Sequence, residues 1–331
     1  MDNVDIEVLK SVRAWSPQHR VVLVTVAKTW GSSPRPQGAM LAIRDDGLLA
    51  GSVSGGCIED DLIRQIRQGE LLVHTPSRVT YGVSAEEARK FGLPCGGTLE
   101  LILEAVSLHS QIETMIERIE AGRLFTKVLD LNTGVVQILD QHLGFSCDVS
   151  HLRLPLGPAY RVLVIGAGQL SKFFAQIMLG LGFRVIVCDP REEYYDNWDI
   201  AGVELTREMP DDVVLALKPD ARTAIVALTH DPKLDDLALM EALNSDAFYV
   251  AALGSTRNNQ QRKQRLHDHF GISDEALARL HGPAGLFIGS KIPSEIAVSI
   301  AAELVAAKNR VLAVAGVISN TSKKLEQSKV A

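Results

Sequence analysis

The chain is predicted to be an α/β protein, with an N-terminal α+β domain followed by a Rossmann-like domain built on a doubly wound parallel sheet. Three observations lead there. Through residue 106, β-like runs separated by glycine turns alternate with helical spacing. From Arg161 the order changes to strand, glycine turn, helix, strand, which is one βαβ unit and is expected to be right-handed. At 331 residues and 46% hydrophobic content, the chain is too long for one ordinary domain and apolar enough to fill two cores.

The elements follow in order. Ile6 to Trp15 reads as a helix, Val21 to Ala27 as a strand, and Met40 to Ile43 and Leu48 to Val53 as short strands. After Cys57 the residues Ile58, Leu62 and Ile66 recur at helical spacing, with Glu59, Asp60, Asp61 and Arg64 among them, so a helix is expected to begin close to Cys57. Strands are expected near Leu71 to His74 and at Thr98 to Glu104. These make an α+β domain over 1–106. Residues 107–157 are read as a linking region, with a helix over Ser110 to Gly122 and a hairpin around Asn132 to Gly134. The run Leu154-Pro-Leu-Gly-Pro158 discourages any continuous element and marks a boundary.

The second domain is expected over 158–312. Its strands are Val162 to Ile165, Val185 to Asp189, Val213 to Leu217, Ala224 to Thr229 and Phe248 to Leu253. Helices are expected from the Gly166 turn to Leu179, over Leu234 to Leu243, and over Ser294 to Ala307 with an apolar face of Ile296, Ile300 and Leu304. Residues 313–331 read as a polar, flexible tail.

Composition excludes several classes. A net charge of −6 leaves no electrostatic footprint for nucleic acid. No apolar run approaches the roughly 20 residues that span a bilayer, and the acidic N-terminus lacks a signal core, so a cytoplasmic location is expected. Cys57, Cys95, Cys147 and Cys188 form no CxxC pair, hence neither a disulfide framework nor a zinc site.

Two glycine-rich turns carry the candidate chemistry. Ser54, Gly55, Gly56 and Cys57 place a thiol among backbone amides at a helix start, where amides and dipole favour anions and thiolate, although the acidic first turn opposes this. Cys95 and Gly96, in Gly92-Leu-Pro-Cys95-Gly-Gly97, supply a second such cysteine, whereas Cys188 is read as buried filler. Gly166-x-Gly168-x-x-Ser171 follows a strand, and Asp189 ends the next strand at the interval of a ribose-binding acid. That turn is read either as a dinucleotide or phosphate site or as a structural turn. Arg191 is read as meeting an extra phosphate or solvent. His230 and Ser255 follow predicted strands, at the edge where ligands bind in open α/β sheets. His230 is either a loop cap or a ligand contact. In the cluster Arg257, Arg262, Lys263 and Arg265, most residues are read as a solvated helix face, with Arg257 placed to meet phosphate. Glu295, Ser299 and Glu303 share one helix face, read as facing solvent or, less often for such a face, an interface.

The combination of Gly31-Ser-Ser-Pro-Arg-Pro-Gln-Gly38, Ser52-Val-Ser-Gly-Gly-Cys57-Ile-Glu59, Gly92-Leu-Pro-Cys95-Gly-Gly97, Thr229-His-Asp231, Leu253-Gly-Ser255 and Pro283-x-Gly-Leu286 resembles the XdhC/CoxI family. The resemblance runs from about Val21 to Ala307. It implies an accessory protein of xanthine dehydrogenase and related molybdenum hydroxylases. Such a chaperone binds molybdenum cofactor, in its molybdopterin mononucleotide or cytosine dinucleotide form, protects it while a cysteine desulfurase supplies the sulfido ligand, and delivers it to the apo-hydroxylase. Cys57 and Cys95 would lie at the molybdenum end and Gly166, Gly168 and Asp189 at the phosphate end, in a homodimer. The alternative is an NAD(P)-dependent oxidoreductase using the Rossmann-like domain. Phe287 and Ile292 depart from the family pattern, which carries Asp and Thr at many of the corresponding positions.

Overall fold

The computed structural model describes residues 3–30, 35–69, 75–84, 86, 91 and 97–311. The expected strand at Leu71 to His74, the residues Gly31 to Pro34, Cys95 and Gly96, and the tail over 313–331 lie outside the described residues. The chain divides into two compact units, Met1–Pro158 and Ala159–Ala331.

In the first unit, α1 (Asn3–Trp15) precedes a five-stranded sheet in the order β3-β2-β1-β5-β4. Its strands are β1 (Val21–Trp30), β2 (Met40–Arg44), β3 (Leu49–Gly51), β4 (Ser77–Tyr81) and β5 (Thr98–Ala105), and the pairs β1–β2, β1–β5, β2–β3 and β4–β5 are all antiparallel. Strand alternation sends Leu23, Met40 and Ala42 to one face, packed with Val8, Leu9 and Val12 of α1. Val24, Leu41 and Ile43 go to the other, packed with Ile58 and Leu62 of α2 (Cys57–Arg67). Glu59 and Asp60 in the first turn of α2 and Arg64 and Arg67 in its last complement the helix dipole.

Residues read as a linking region fold within this unit as α3 (Ile112–Glu120) and a four-stranded sheet, β7-β6-β9-β8. Its strands are β6 (Phe125–Asp130), β7 (Val136–Leu139), β8 (Ser146–Cys147) and β9 (His151–Leu156). Ile112, Met115 and Ile116 join the apolar cluster under α1, and a buried Lys127–Glu104 ion pair of 2.5 Å ties β6 to β5.

The second unit holds a six-stranded parallel sheet in the order β12-β11-β10-β13-β14-β15. The strands are β10 (Arg161–Ile165), β11 (Arg184–Cys188), β12 (Val203–Thr206), β13 (Thr223–Ala227), β14 (Tyr249–Ala252) and β15 (Leu280–His281). This is doubly wound order, reversing between β10 and β13. Both faces are covered, as parallel sheets require. Val162 and Val164 pack with Phe174 and Met178 of α4 (Gln169–Gly180) and Ile300 and Leu304 of α10 (Pro293–Lys308). Leu163 and Ile165 pack against Val214 of α6 (Pro210–Leu217), Leu239 of α7 (Pro232–Leu243) and Leu266 of α8 (Thr256–Phe270). Short helices α5 (Glu192–Tyr195) and α9 (Asp274–Ala278) complete the unit.

One expectation is overturned: Val213 to Leu217 is not a strand but the second half of α6. Pro210 at the helix start and Asp211 and Asp212 in the first turn nucleate it, and Val213 and Val214 are buried while Leu215 is exposed. The strand is instead β12, whose half-exposed Val-Glu-Leu-Thr alternates with period two at the sheet edge.

Candidate functional site

At the first turn, Gly55 and Gly56 take φ values of +96° and +146°, in the region open to glycine, and bring the chain into α2 with Cys57 exposed at its first position. Among the described residues a Cβ on either glycine would meet nothing within 4 Å, so no described residue crowds the backbone beside the thiol. The amides beneath it are not free, which corrects the expectation of an anion-ready turn. The Glu59 side chain folds back under the loop and accepts from six donors. These are Ser52 Oγ at 2.8 Å, the amides of Val53 at 2.9 Å, Ser54 at 2.8 Å, Gly55 at 3.1 Å and Gly56 at 2.9 Å, and the Ser54 hydroxyl. Burial works to raise the Glu59 pKa, but the Ser54, Ser52 and Val53 donors outweigh it and bring it down to about 2. Among the described residues no cation pairs with Glu59; dipoles alone hold its charge.

At the second turn, Gly166 closes β10 with φ +103°, and its amide donates to Cys188 O at 2.8 Å. A Cβ there would lie 2.8 Å from Thr229 Cγ2, so the turn presses against the end of β13. Gly168 caps α4 with ordinary φ and open space above its Cα. The Asp189 carboxylate, read as a ribose contact, is engaged within the turn. It is fully buried, accepts from the Ala167 amide at 2.8 Å, and is gripped by Arg191 through Nε and Nη2, each at 2.8 Å. Burial pushes its pKa up, and the Arg191 and Ala167 bonds more than offset this, leaving it below the usual value. The acid read as a ligand contact is therefore a strut within the turn. Arg191 stacks its guanidinium 4.0 Å from the Tyr194 ring centre.

Along the same carboxyl edge, His230 is exposed with φ +66°. Capping falls to its neighbours: Asp231 accepts from Lys233 N at 2.9 Å, and Thr229 Oγ1 donates to Asp235 at 2.7 Å. Ser255 caps α8 through the Asn258 amide at 3.2 Å, and Arg257 is exposed in its first turn. Arg262 departs from the solvated reading. It is buried, pairing with Asp235 and Asp236 at 3.1 Å each. Asp235 is pushed up by burial, partly offset by Thr229 and Arg262.

The face of Ser299 and Glu303 also turns inward, against expectation. Glu303 accepts from Tyr249 OH at 2.6 Å and the Gly285 amide at 2.7 Å and pairs with His281 at 3.0 Å, while Ser299 Oγ donates to Leu286 O at 2.5 Å. Both pin the 282–286 turn. Cys188 is buried as expected, its thiol pushed up to about 12 by burial. Among the described residues no group of three or more His, Cys, Asp or Glu could hold a metal, and no helix is long and apolar enough to cross a membrane.

The residue the sequence reading passed over is Glu59. Part of its signal was present, because a glutamate three positions after a helix cap is half of the capping-box pattern, the Gly56 cap having no side chain to supply the other half. The Arg191–Asp189 pairing had no such local signal.

Two family models match the chain: the XdhC Rossmann domain over residues 162–304, and the XdhC and CoxI family over residues 14–82. The chain is 26% identical over 328 residues to a probable subunit of xanthine dehydrogenase from Bacillus subtilis, covering 90% of this chain and 96% of that protein. It is 24% identical over 289 residues to the molybdenum cofactor insertion chaperone PaoD of Escherichia coli, covering 86% and 82%. A crystal structure described as a xanthine dehydrogenase from Bacillus halodurans matches in fold with a TM-score of 0.74 at 24% identity, over 96% of this chain and 99% of the other. The cysteine-bearing turn of the first unit and the glycine turn of the second lie within the two matched segments, and the chain belongs to the XdhC and CoxI family.

Proposed function

We propose that this chain binds molybdenum cofactor as cargo, shields it while a cysteine desulfurase supplies the terminal sulfido ligand, and passes it to an apo-hydroxylase of the xanthine or aldehyde dehydrogenase type. The names of its relatives support a chaperone role. The observation that carries the reading is Cys57, an exposed thiol on a turn braced from below and open above.

These residues fit the metal-sulfur end of such a cargo. A thiol is a soft donor suited to a soft metal-sulfur centre, and one exposed donor holds a group that must later be released. The bare glycines let a bulky group approach the backbone beside it. In the second unit, taken by itself, Gly166 and Gly168 at the start of α4 suit a phosphate or nucleotide group, since the remaining helix amides and the dipole favour negative charge. On this reading the protein works in the cytoplasm as a homodimer.

The alternative, an NAD(P)-dependent oxidoreductase, draws on the same sheet order and glycine turn. It is weakened because the Asp189 carboxylate is committed to Ala167 and Arg191.

The test is to purify the protein from cells making the cofactor and measure bound molybdenum and pterin for the native chain, Cys57→Ala and Gly168→Asp. Near-stoichiometric pterin in the native protein, lost in both variants without loss of fold, is expected. Absence of pterin together with tight NADH binding and substrate turnover overturns the proposal in favour of the oxidoreductase.

A further inference from the structure

We infer that Glu59 is the positioning residue of the Cys57 turn: its carboxylate occupies the amide nest that an external anion would otherwise fill, locks the turn with the thiol outward, and reserves it for a thiol-binding group instead of phosphate. The inference builds on Cys57 as the working group of the turn.

The geometry carries it. The amides of Val53, Ser54, Gly55 and Gly56 converge on one carboxylate, and the hydroxyls of Ser52 and Ser54 close the ring. Convergent backbone amides of this kind are an anion receptor. Here the receptor is filled by a side chain from the helix that the turn opens, buried to 4% exposure. Among the described residues the Gly55 and Gly56 amides, both at positive φ, are held by Glu59, with Ser52 Oγ also accepting from the Gly55 amide at 3.2 Å. A carboxylate so held also sets negative charge under the turn, which opposes a second anion. A neutral or electrophilic group that bonds to sulfur meets no such barrier.

The test uses the full chain and two readouts, melting temperature and the rate of Cys57 alkylation by iodoacetamide followed by peptide mass spectrometry. Native protein, Glu59→Gln and Glu59→Ala are compared in chloride, acetate and inorganic phosphate at matched ionic strength. Glu59→Gln keeps an acceptor but loses the charge-assisted bonds that lock the turn, and its Cys57 alkylation rate is expected to change about three- to tenfold as the thiol leaves its fixed outward position. Glu59→Ala is expected to melt lower and to recover in acetate or phosphate, which refill the nest, while the native protein responds to neither. Unchanged alkylation in Glu59→Gln, or a Glu59→Ala protein indifferent to acetate, overturns the inference. Should neither variant fold, amide exchange in the native protein decides: Gly55 and Gly56 amides protected at neutral pH support the inference, and exchange as fast as in an open loop overturns it. No readout involves pterin or molybdenum, so this inference and the chaperone reading fail separately.

Discussion

The two glycine-rich turns of this molecule are alike in plan and differ in how their charge is held. Each leads from a strand into a helix, and in each a buried carboxylate of the chain bonds to turn amides that a ligand could use. In the first, Glu59 comes from within the helix the turn opens and is held by hydroxyls and amides alone. In the second, Asp189 comes from the neighbouring strand and takes one turn amide, with its charge answered by Arg191. The lesson is that a glycine-rich turn at a helix start is not thereby a vacant anion site. The Cys57 turn has spent its amides and offers a thiol. The Gly166 turn has spent two, Gly166 on Cys188 O and Ala167 on Asp189, and keeps the start of α4 open at Gly168.

The difference can be broken by substitution, beginning with the largest effect. Glu59→Ala strands a ring of part-buried donors around the buried Val53 amide and is expected to destabilise the first unit by about 3 kcal/mol, measured by denaturant unfolding. The same interaction has a pH signature. Its carboxyl stands at about 2 in the folded chain against an ordinary value of 4.5. The stabilisation is therefore complete above the unfolded value and is lost as pH falls from about 4.5 towards about 2, for a total of about 3 kcal/mol. Acid unfolding of Glu59→Gln should lack that component.

Next comes Gly166→Ala, which forces a side chain into positive φ and against Thr229. A loss of about 1–3 kcal/mol in the second unit is expected, read from its thermal transition. Asp189→Asn should cost less, about 1–2 kcal/mol, because Arg191 is partly exposed and can turn to water when its partner loses charge. A cost equal to that of Glu59→Ala would erase the contrast between the two turns. Smallest is Gly168→Ala, at ordinary φ with nothing near its Cβ. Stability should change by about 0.5 kcal/mol at most, while binding of a phosphate-bearing ligand, followed by calorimetry, should weaken. Unaltered binding would remove Gly168 from the ligand path.

Much of the fold was legible because periodicity reports burial directly. The runs of β1, β10 and β13 and the helical spacing after Cys57 each follow from which face must be dry. The short run Val213 to Leu217 was misread, because five apolar residues fit either element and only Pro210 and the acids beside it decide. At the site, the positions of Cys57, Gly166, Gly168 and Ser255 at element ends could be read from local pattern. Whether the amides around them were free could not.

Sequence alone determined the two-part architecture, the glycine turns and the family, because strand and helix periods, turn residues and motif spacing are local properties of the chain. Tertiary structure decided which charges were available. Asp189 and Arg191 lie two positions apart in sequence, but only the parallel pairing of β10 with β11 brings that pair to the Ala167 amide. Glu303, on a helix face that reads as polar, is turned inward by Tyr249, His281 and the Gly285 amide. A carboxylate's role is set by the donors that surround it once the chain has folded, whether they come from the same turn, as for Glu59, or from other elements, as for Glu303.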